Sequence, residues 1–218
     1  MRLCFQLQSK TRQVLPFDYQ HELVRTFHRW LPENDIHSDI SLYSLSWLHG
    51  AKAVEGGLAF PQGASWFVGF HDERIAKHLL VGVLRRPDTT FGMKVIDAQI
   101  IETPDFGDVM RFPLASPALI KHFDAGNIRH LTFADALADE VMTATMQSKL
   151  RAAGLPTDVS VRFDRTYAGA KTKVVHIKGI GNRANVCPVI VEGTPETVGF
   201  AWTVGVGHCT GAGFGAVV

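Results

Sequence analysis

The order of strand-like and helix-like patterns along the chain constrains its fold most strongly. Alternating apolar residues predict a strand over residues 2–8, and an apolar stripe predicts a helix that Pro16-Phe17-Asp18 opens, with Asp18 as its N-cap. Further strands are predicted over residues 41–48, 65–71 and 91–101, with a helix over residues 73–84. Strand, helix, strand, strand, helix, strand is the order of a ferredoxin-like domain.

The same order recurs, less regularly, in the second half of the chain. An extended segment over residues 111–120 is broken by Pro113 and Pro117, and a long helix over residues 133–153 ends at Gly154. Strands are predicted over residues 159–163, 172–177 and 186–191, followed by a short helix that starts at Thr194-Pro195-Glu196 and a final strand over residues 214–218. The sequence therefore predicts an α+β protein with two tandem ferredoxin-like domains, residues 1–102 and 111–218, joined by a linker over residues 103–110.

The composition is that of an ordinary globular protein, because 46% of its 218 residues are hydrophobic and 20% are charged. No apolar run approaches the ~18 residues that a membrane-spanning helix needs, and the N-terminus is too polar for a signal peptide. Three cysteines without a CxxC spacing argue against a disulfide framework and a cysteine zinc site. We therefore expect a cytoplasmic protein with reduced thiols and no membrane partner.

The charge is distributed unevenly, although the net charge is only +1. Residues 159–185 carry six cations against one anion, and residues 1–31 carry five cations against two anions. Two basic zones on a neutral body favour a phosphate-binding face, with chance clustering as the alternative.

The strongest local signal is a glycine-rich segment near the C-terminus, residues 205–215, in which five of eleven residues are glycine. It lacks the Lys-Ser/Thr of a Walker loop and follows a helix instead of opening one, which argues against a nucleoside-triphosphate site. Two interpretations stay open: a tight packing loop, or a backbone that closely approaches phosphates.

This segment, G-x-G followed by small residues and G-x-G-F-G, resembles the signature of the RAMP proteins of CRISPR systems. Within them it is most similar to the endoribonucleases that cut CRISPR repeat transcripts. Further segments agree in order over nearly the whole chain: residues 15–31, residues 37–48, Ser116-Pro117 and residues 145–149. The resemblance implies two ferredoxin-like domains and cleavage without a metal or cofactor, which leaves a 2′,3′-cyclic phosphate and a 5′-hydroxyl.

The partners implied by this resemblance are precursor and mature CRISPR repeat RNA, with subunits of a CRISPR effector complex and a homodimer left open. The RNA-binding residues that we predict are the helix cations Arg25 and Arg29, the cations Lys171, Lys173 and Lys178, and the glycines Gly205, Gly207, Gly211, Gly213 and Gly215. No HExxH, HxH or CxxC motif points to a metal site.

Two histidines are the candidate catalytic residues, since an unperturbed pKa of ~6.5 suits both proton donation and proton acceptance. His37 stands after the first helix, where the family's catalytic histidine stands. His28 matches a second catalytic position on that helix, which is tyrosine in some members and histidine in others. His21, Arg25 and His28 also form a cationic stripe at i, i+4 and i+7, so a solvated polar face is the alternative.

Two rival functions remain. In a non-catalytic RNA-binding subunit of the same fold, His28 and His37 would only hold phosphates. The triplets His130-Leu131-Thr132 and His208-Cys209-Thr210 resemble those of two-histidine phosphoesterases, although that family places each triplet inside a strand.

Overall fold

The computed structural model describes residues 1–9, 13–31, 40–124 and 126–218 of the chain. The elements of the first half are β1 (Arg2–Ser9), β2 (Val14–Leu15), α1 (Gln20–Trp30), β3 (Tyr43–Leu45), β4 (Lys52–Val54), β5 (Gly57–Ala59), β6 (Ala64–Phe70), α2 (Glu73–Arg85) and β7 (Met93–Ile101). Strands β3, β6, β1 and β7 form an antiparallel sheet in that order. Strands β2, β5 and β4 form a small second sheet that the sequence patterns did not predict.

The core of this half follows directly from the apolar periodicity of its sequence. Leu3, Phe5 and Leu7 alternate along β1 and are at most 2% exposed. They share one apolar cluster with Phe27 of α1 and Leu79 of α2, so both helices pack on this sheet. The predicted strand over residues 41–48 is shorter in the structure, where Tyr43–Leu45 form the ladder with β6 and Ser46 adds a hydrogen bond to the Phe67 carbonyl.

The start of α1 differs from the prediction. Asp18 is exposed in the turn before the helix, and Tyr19 is the N-cap residue without a side-chain capping bond. Tyr19 is buried, and its hydroxyl accepts a hydrogen bond from the Leu48 N–H at 2.9 Å. Tertiary anchoring of Tyr19, in place of a local cap, therefore fixes where this helix begins.

The second half contains β8 (Val109–Phe112), β9 (Ile120–Asp124), β10 (Asn127–Leu131), α3 (Leu137–Ala153), β11 (Val159–Phe163), β12 (Lys171–Ile177), β13 (Ile180–Val186), β14 (Val189–Gly193) and α4 (Pro195–Val204). Strands β11, β14 and β8 form an antiparallel sheet in that order. The pairs β9–β10 and β12–β13 are separate hairpins. Helices α3 and α4 share the apolar cluster of the three-stranded sheet.

Three predicted elements of this half are corrected. Helix α3 begins at Leu137 and not at residue 133, because the Asp135 carboxylate accepts the backbone and hydroxyl hydrogens of Thr132 and forms a turn. The strand predicted over residues 186–191 is interrupted: β13, which was not predicted, ends at Val186, and β14 begins at Val189 after Pro188. The final strand over residues 214–218 is reduced to one bridge between Val217 and Leu114, since Gly213 and Gly215 both adopt positive φ.

Arg2 links the two halves at a buried contact. Its Nη2 donates hydrogen bonds to the carbonyl oxygens of Trp202 and Val217, and its guanidinium lies 3.5 Å from the ring centroid of Trp202 and 4.3 Å from that of Phe67. Burial lowers the pKa of Arg2 to about 9, so this side chain is still charged at neutral pH. Among the described residues, no helix has both the length and the apolar character that crossing a membrane requires.

Candidate functional site

The glycine-rich segment after α4 is a buried loop whose glycines meet the protein's own backbone. Gly205 and Gly215 adopt φ of +71° and +63°, and the Gly215 carbonyl accepts the Val206 N–H at 2.8 Å. A Cβ on Gly205 would lie 2.6 Å from the Gly215 carbonyl oxygen, and a Cβ on Gly215 would collide with that of Val206. The packing interpretation therefore accounts for these two glycines, which we had predicted to contact RNA.

The other three glycines of the loop differ in where they lie. Gly207 and Gly211 line a cleft, but a Cβ would lie 2.8 Å from the Leu119 carbonyl oxygen at Gly207 and 2.6 Å from the Tyr43 hydroxyl at Gly211. Packing therefore constrains both, and a role in RNA binding stays a prediction for them. Gly213 is buried, and its carbonyl accepts the indole N–H of Trp47 at 2.8 Å. A Cβ on Gly213 would come no closer than 3.9 Å to a described atom, Trp47 Nε1, so its φ of +84°, and not close packing, favours glycine there.

A buried lysine ties this loop to α3. Lys149 is 4% exposed, and its Nζ donates hydrogen bonds to the carbonyl oxygens of Val204 and Gly205, at 3.3 and 3.1 Å, and to Thr210 Oγ1 at 3.2 Å. Thr210 Oγ1 in turn donates to the Tyr43 carbonyl at 2.8 Å. Burial lowers the pKa of Lys149 to about 7.

A cleft of about 630 Å³, called here the first cleft, lies against the loop. It receives residues from both halves of the chain. Its lining comprises His28, Ile40, Ser41, Tyr43, Lys121, Phe123, Thr145, Ser148, Lys149 and residues 207–212. The cleft thus brings the predicted histidine of α1 to the glycine-rich loop, which follows it by about 180 residues.

A second cleft, of about 570 Å³, adjoins the first, because His28 and Ala212 line both. It is lined further by His21, Glu22, Val24, Arg25, Arg29, Thr90, Ile177 and Lys178. Three of the predicted RNA-binding cations therefore surround one cleft. Glu22 accepts a hydrogen bond from Arg25 at 2.7 Å, and Arg29 donates to the Asp88 carbonyl at 2.9 Å.

The cations of the β12–β13 hairpin divide between two places. Lys171 and Lys173 are exposed on β12 outside both linings, and Lys173 Nζ lies 4.7 Å from the ring centroid of Trp47. Desolvation and the neighbouring charge of Lys171 lower the pKa of Lys173. Lys178 reaches the second cleft from the β12–β13 turn, where it and Gly179 have φ of 49° and 80°, as a type I′ turn requires.

His37, the first candidate catalytic residue, lies outside the described residues. Ile40 and Ser41, which follow it by three and four positions, line the first cleft. The catalytic role of His37 therefore stays a prediction from the sequence.

His208 is the second histidine that the structure places in the first cleft. Its Nδ1 accepts the backbone N–H of Lys121 at 3.2 Å. Burial, together with the charges of Lys121 and Lys149, lowers the pKa of His208 to about 4. His208 is therefore neutral at physiological pH, with its ring proton on Nε2.

The two His-x-Thr triplets do not line a common cleft. His130 lines neither of the two clefts, and its Nδ1 accepts the Arg183 N–H at 3.2 Å. The hydroxyls of Thr132 and Thr210 bond to Asp135 and to the Tyr43 carbonyl. These contacts give the triplets structural roles and weigh against the two-histidine phosphoesterase. Within the described part of the chain, no three His, Cys, Asp or Glu side chains are grouped as a metal site.

The sequence patterns missed Lys121 and Phe123 because they left residues 121–132 without an assigned element. A signal for a hairpin was present, since Gly126 is a turn-forming residue between two short runs that contain apolar residues.

The fold of this chain is shared with solved structures of CRISPR-associated proteins, although no family model and none of the curated proteins matches the sequence. The product of a Cas6-related gene from Pyrococcus furiosus is 20% identical at a TM-score of 0.87, over 100% of this chain and 97% of that one. A CRISPR-associated Cas6 protein is 18% identical at a TM-score of 0.85, over 100% and 98% of the two chains. A RAMP protein described as binding different RNA substrates is 21% identical at 0.82, over the same shares. The resemblance to RAMP proteins is thus confirmed at the level of the fold.

Proposed function

We propose that this chain is an endoribonuclease that cuts CRISPR repeat RNA without a metal ion. The observation that carries the proposal is the position of His28, which stands where the first cleft meets the second. The glycine-rich loop lines one cleft and the cations Arg25, Arg29 and Lys178 line the other. A proton-transferring side chain beside a cationic cleft is what cleavage of an RNA backbone requires.

We also infer that the protein consists of two ferredoxin-like domains, with a boundary within residues 103–108, because Val109 and Met110 of the predicted linker belong to β8. In the first half, β1, β3, β6 and β7 are the first to fourth strands of a βαββαβ unit. Their order across the sheet is β3, β6, β1, β7, that is second, third, first, fourth. In the second half, β11, β14 and β8 repeat the order second, third and first. The Val217–Leu114 bridge takes the place of the fourth strand. Separate apolar clusters in the two halves support the division.

In the proposed reaction, a base removes the proton of a ribose 2′-hydroxyl and the resulting oxygen attacks the adjacent phosphorus. The bond from phosphorus to the 5′-oxygen breaks, and an acid protonates that oxygen, which leaves a 2′,3′-cyclic phosphate and a 5′-hydroxyl. We assign the two proton transfers to His28 and His37. His28 is half-buried in the cleft wall, and its neighbour Phe27 packs edge-on against it at 5.1 Å between ring centroids.

The second cleft is the proposed binding site for the RNA backbone. Arg25 and Lys178 are exposed at its wall, so both are accessible to the phosphate oxygens of a bound RNA. The relative that is described as binding different RNA substrates supports an RNA ligand for this fold. Precursor and mature repeat RNA are the partners that we propose.

The experiment that tests the proposal mixes the purified protein with a repeat hairpin in EDTA and maps both product ends. We expect cleavage at an unchanged rate, a cyclic phosphate on one product and a 5′-hydroxyl on the other. A hairpin with one 2′-deoxyribose at the cleaved position is the matched control and should bind without being cut. A 3′-hydroxyl product, or complete inhibition by EDTA, contradicts the proposed chemistry.

A non-catalytic RNA-binding subunit is the second candidate function. The net charge of only +1 and the Glu22 carboxylate inside the cationic cleft favour a protein that holds RNA weakly on its own. Binding of the hairpin without cleavage of any kind would select this candidate.

A further inference from the structure

The β9–β10 hairpin presents an aromatic ring at the first cleft that the proposed cleavage chemistry does not use. Phe123 is 64% exposed although it is part of the cleft lining. Its cross-strand partner is Ile128, and the next pair on the same face, two positions along, is Lys121 with His130, so these four residues share one face of the hairpin. Phe123 therefore stands at the cleft with a cation two residues away on the same face.

His208, in the glycine-rich loop, lies next to this ring. The ring centroids of Phe123 and His208 are 6.4 Å apart, and the ring planes are inclined by 60°. Two bonds hold His208 to the hairpin region: its backbone N–H donates to the Leu119 carbonyl at 2.8 Å, and its Nδ1 accepts the Lys121 N–H at 3.2 Å. The two rings thus form a corner in the cleft wall, in which these bonds hold His208 and the Phe123 ring is largely exposed.

The protonation state of His208 determines which hydrogen bond this corner can make. Because Nδ1 is an acceptor, the neutral His208 ring carries its one proton on Nε2 and is a hydrogen-bond donor there. With its pKa lowered to about 4, His208 keeps this form throughout the physiological range. Lys121, which also lines the cleft, supplies a positive charge beside the corner.

We propose that Phe123 and His208 form a binding site for one unstacked nucleobase of single-stranded RNA. The base stacks on the exposed face of Phe123, the Nε2–H of His208 donates to an acceptor on the edge of the base, and Lys121 binds an adjacent phosphate. Exposed aromatic rings that stack splayed-out bases, beside cations that track the backbone, are the usual way in which proteins bind single-stranded RNA. The inference rests on the proposed function, since it takes RNA as the ligand, and it adds that the nucleotide beside the glycine-rich loop is unpaired.

The test measures the binding of a short single-stranded repeat RNA, and of versions in which one nucleotide at a time is abasic, to wild type and variants. Phe123→Ala and Phe123→Leu should weaken binding by roughly 5- to 150-fold, the effect of removing one base–aromatic stack, and Phe123→Trp should restore it. For wild type, removal of the base at one position of the RNA should reduce the affinity by a similar factor. Removal of that base should reduce the affinity of Phe123→Ala little further, because this variant lacks the ring on which the base stacks.

Two control variants separate this site from general effects of the surface. Ile128→Ala removes the exposed cross-strand neighbour, and Phe17→Ala removes a 54% exposed ring outside both clefts. Both should bind the RNA within about twofold of wild type. His208→Ala should reduce the difference in affinity between RNAs with different bases at the sensitive position, which a merely structural loss would not do.

The outcomes distinguish this inference from the proposed function. If wild type binds and cuts the hairpin but every abasic position costs wild type and Phe123→Ala equally, the nucleobase site is wrong and the function stands. If Phe123→Ala and Ile128→Ala instead lower the sedimenting mass and leave RNA affinity unchanged, the hairpin tip is a self-association surface and the site is also wrong. If wild type binds no RNA, both proposals fail.

Discussion

The ammonium group of Lys149 donates a hydrogen bond to the carbonyl oxygen of Gly205 at 3.1 Å, at the residue where α4 gives way to the glycine-rich loop. This bond and those to Val204 and Thr210 leave a positive charge in a site that is almost closed to water. The three acceptors of the ammonium group are two carbonyl oxygens and one hydroxyl, all of them neutral. The loop is therefore held by an amine whose charged form costs stability to bury, and this cost depends on pH.

The first prediction concerns this pH dependence. The pKa of Lys149 is about 7 in the folded protein and about 10.5 when unfolded, so below pH 7 both states hold the proton and the cost of burial is complete. Between these values only the unfolded state holds it, and the free energy of unfolding should rise with pH by up to about 1.4 kcal/mol per unit. Urea unfolding of wild type and Lys149→Met at pH 7.5 and 9 measures this effect. We expect the difference in stability between the two proteins to move in favour of wild type as the pH rises.

A difference between wild type and Lys149→Met that stays constant with pH would contradict the lowered pKa. Ser148→Ala is a matched control on the same helix, because Ser148 bonds locally to Ala144 and carries no titrating charge. It should leave the pH dependence as it is in wild type.

The second prediction separates backbone strain from close packing in the loop. Gly215 and Gly154 both have positive φ, +63° and +72°, but an added Cβ collides with the Val206 carbonyl at Gly215 and meets nothing within 4 Å at Gly154. Gly154→Ala should cost about 1 kcal/mol of unfolding free energy, and Gly215→Ala about 3 kcal/mol or more, because it adds a backbone collision. Thermal or urea unfolding measures both. Equal losses would show that the loop relaxes around Gly215.

The third prediction tests which cations bind the RNA. Replacing Arg25, Arg29 and Lys178 by Gln should weaken binding and reduce the slope of log K against log salt by about 0.7 for each phosphate of a single strand that is no longer neutralised. The control replaces Arg74, Lys77 and Arg85, which lie on α2 outside both clefts. Titrations at several salt concentrations should leave the control slope close to that of wild type. Equal slopes for the two triple variants would show that general charge, and not the second cleft, binds RNA.

The Lys171 and Lys173 pair is a separate variant in the same titrations. The sequence grouped these residues with Lys178, whereas the structure places them outside both clefts, with Lys173 over the Trp47 ring. We expect their replacement by Gln to reduce the salt slope less than the replacement of Arg25, Arg29 and Lys178.

Local patterns were sufficient where one short segment decides its own structure. The bounds of β11 follow from alternation, and α4 begins where Thr194 caps it and Pro195 fits its first turn. The apolar stripe placed His28 on the first helix, whereas its candidacy as a catalytic residue came from the resemblance to RAMP proteins. The αL glycine that ends α3 was equally readable, because Gly154 is the residue type which that conformation favours.

The rest depended on contacts between distant residues. His208 and Lys121 are 87 residues apart, and Lys149 and Gly205 are 56 apart. No periodicity shows that such residues meet. The glycine-rich loop shows the same limit: the sequence left close packing and an approach to phosphates open for Gly215, and only the fold shows that the Val206 carbonyl lies against it.

The last prediction addresses catalysis through His28, the residue common to both clefts. His28→Ala should slow single-turnover cleavage of the repeat hairpin by ~10²–10⁴-fold, because one proton-transfer group is removed, while the affinity for the hairpin stays within about threefold. His37→Ala should behave alike, and the double variant should lose less than the product of the two factors, since both groups act in one step. His78→Ala is the matched control, because His78 is exposed on α2 and lines neither cleft. A His28 variant that cuts at the wild-type rate would remove this residue from the reaction. A variant that loses affinity and rate in equal proportion would make His28 a phosphate-binding residue, as in the non-catalytic subunit.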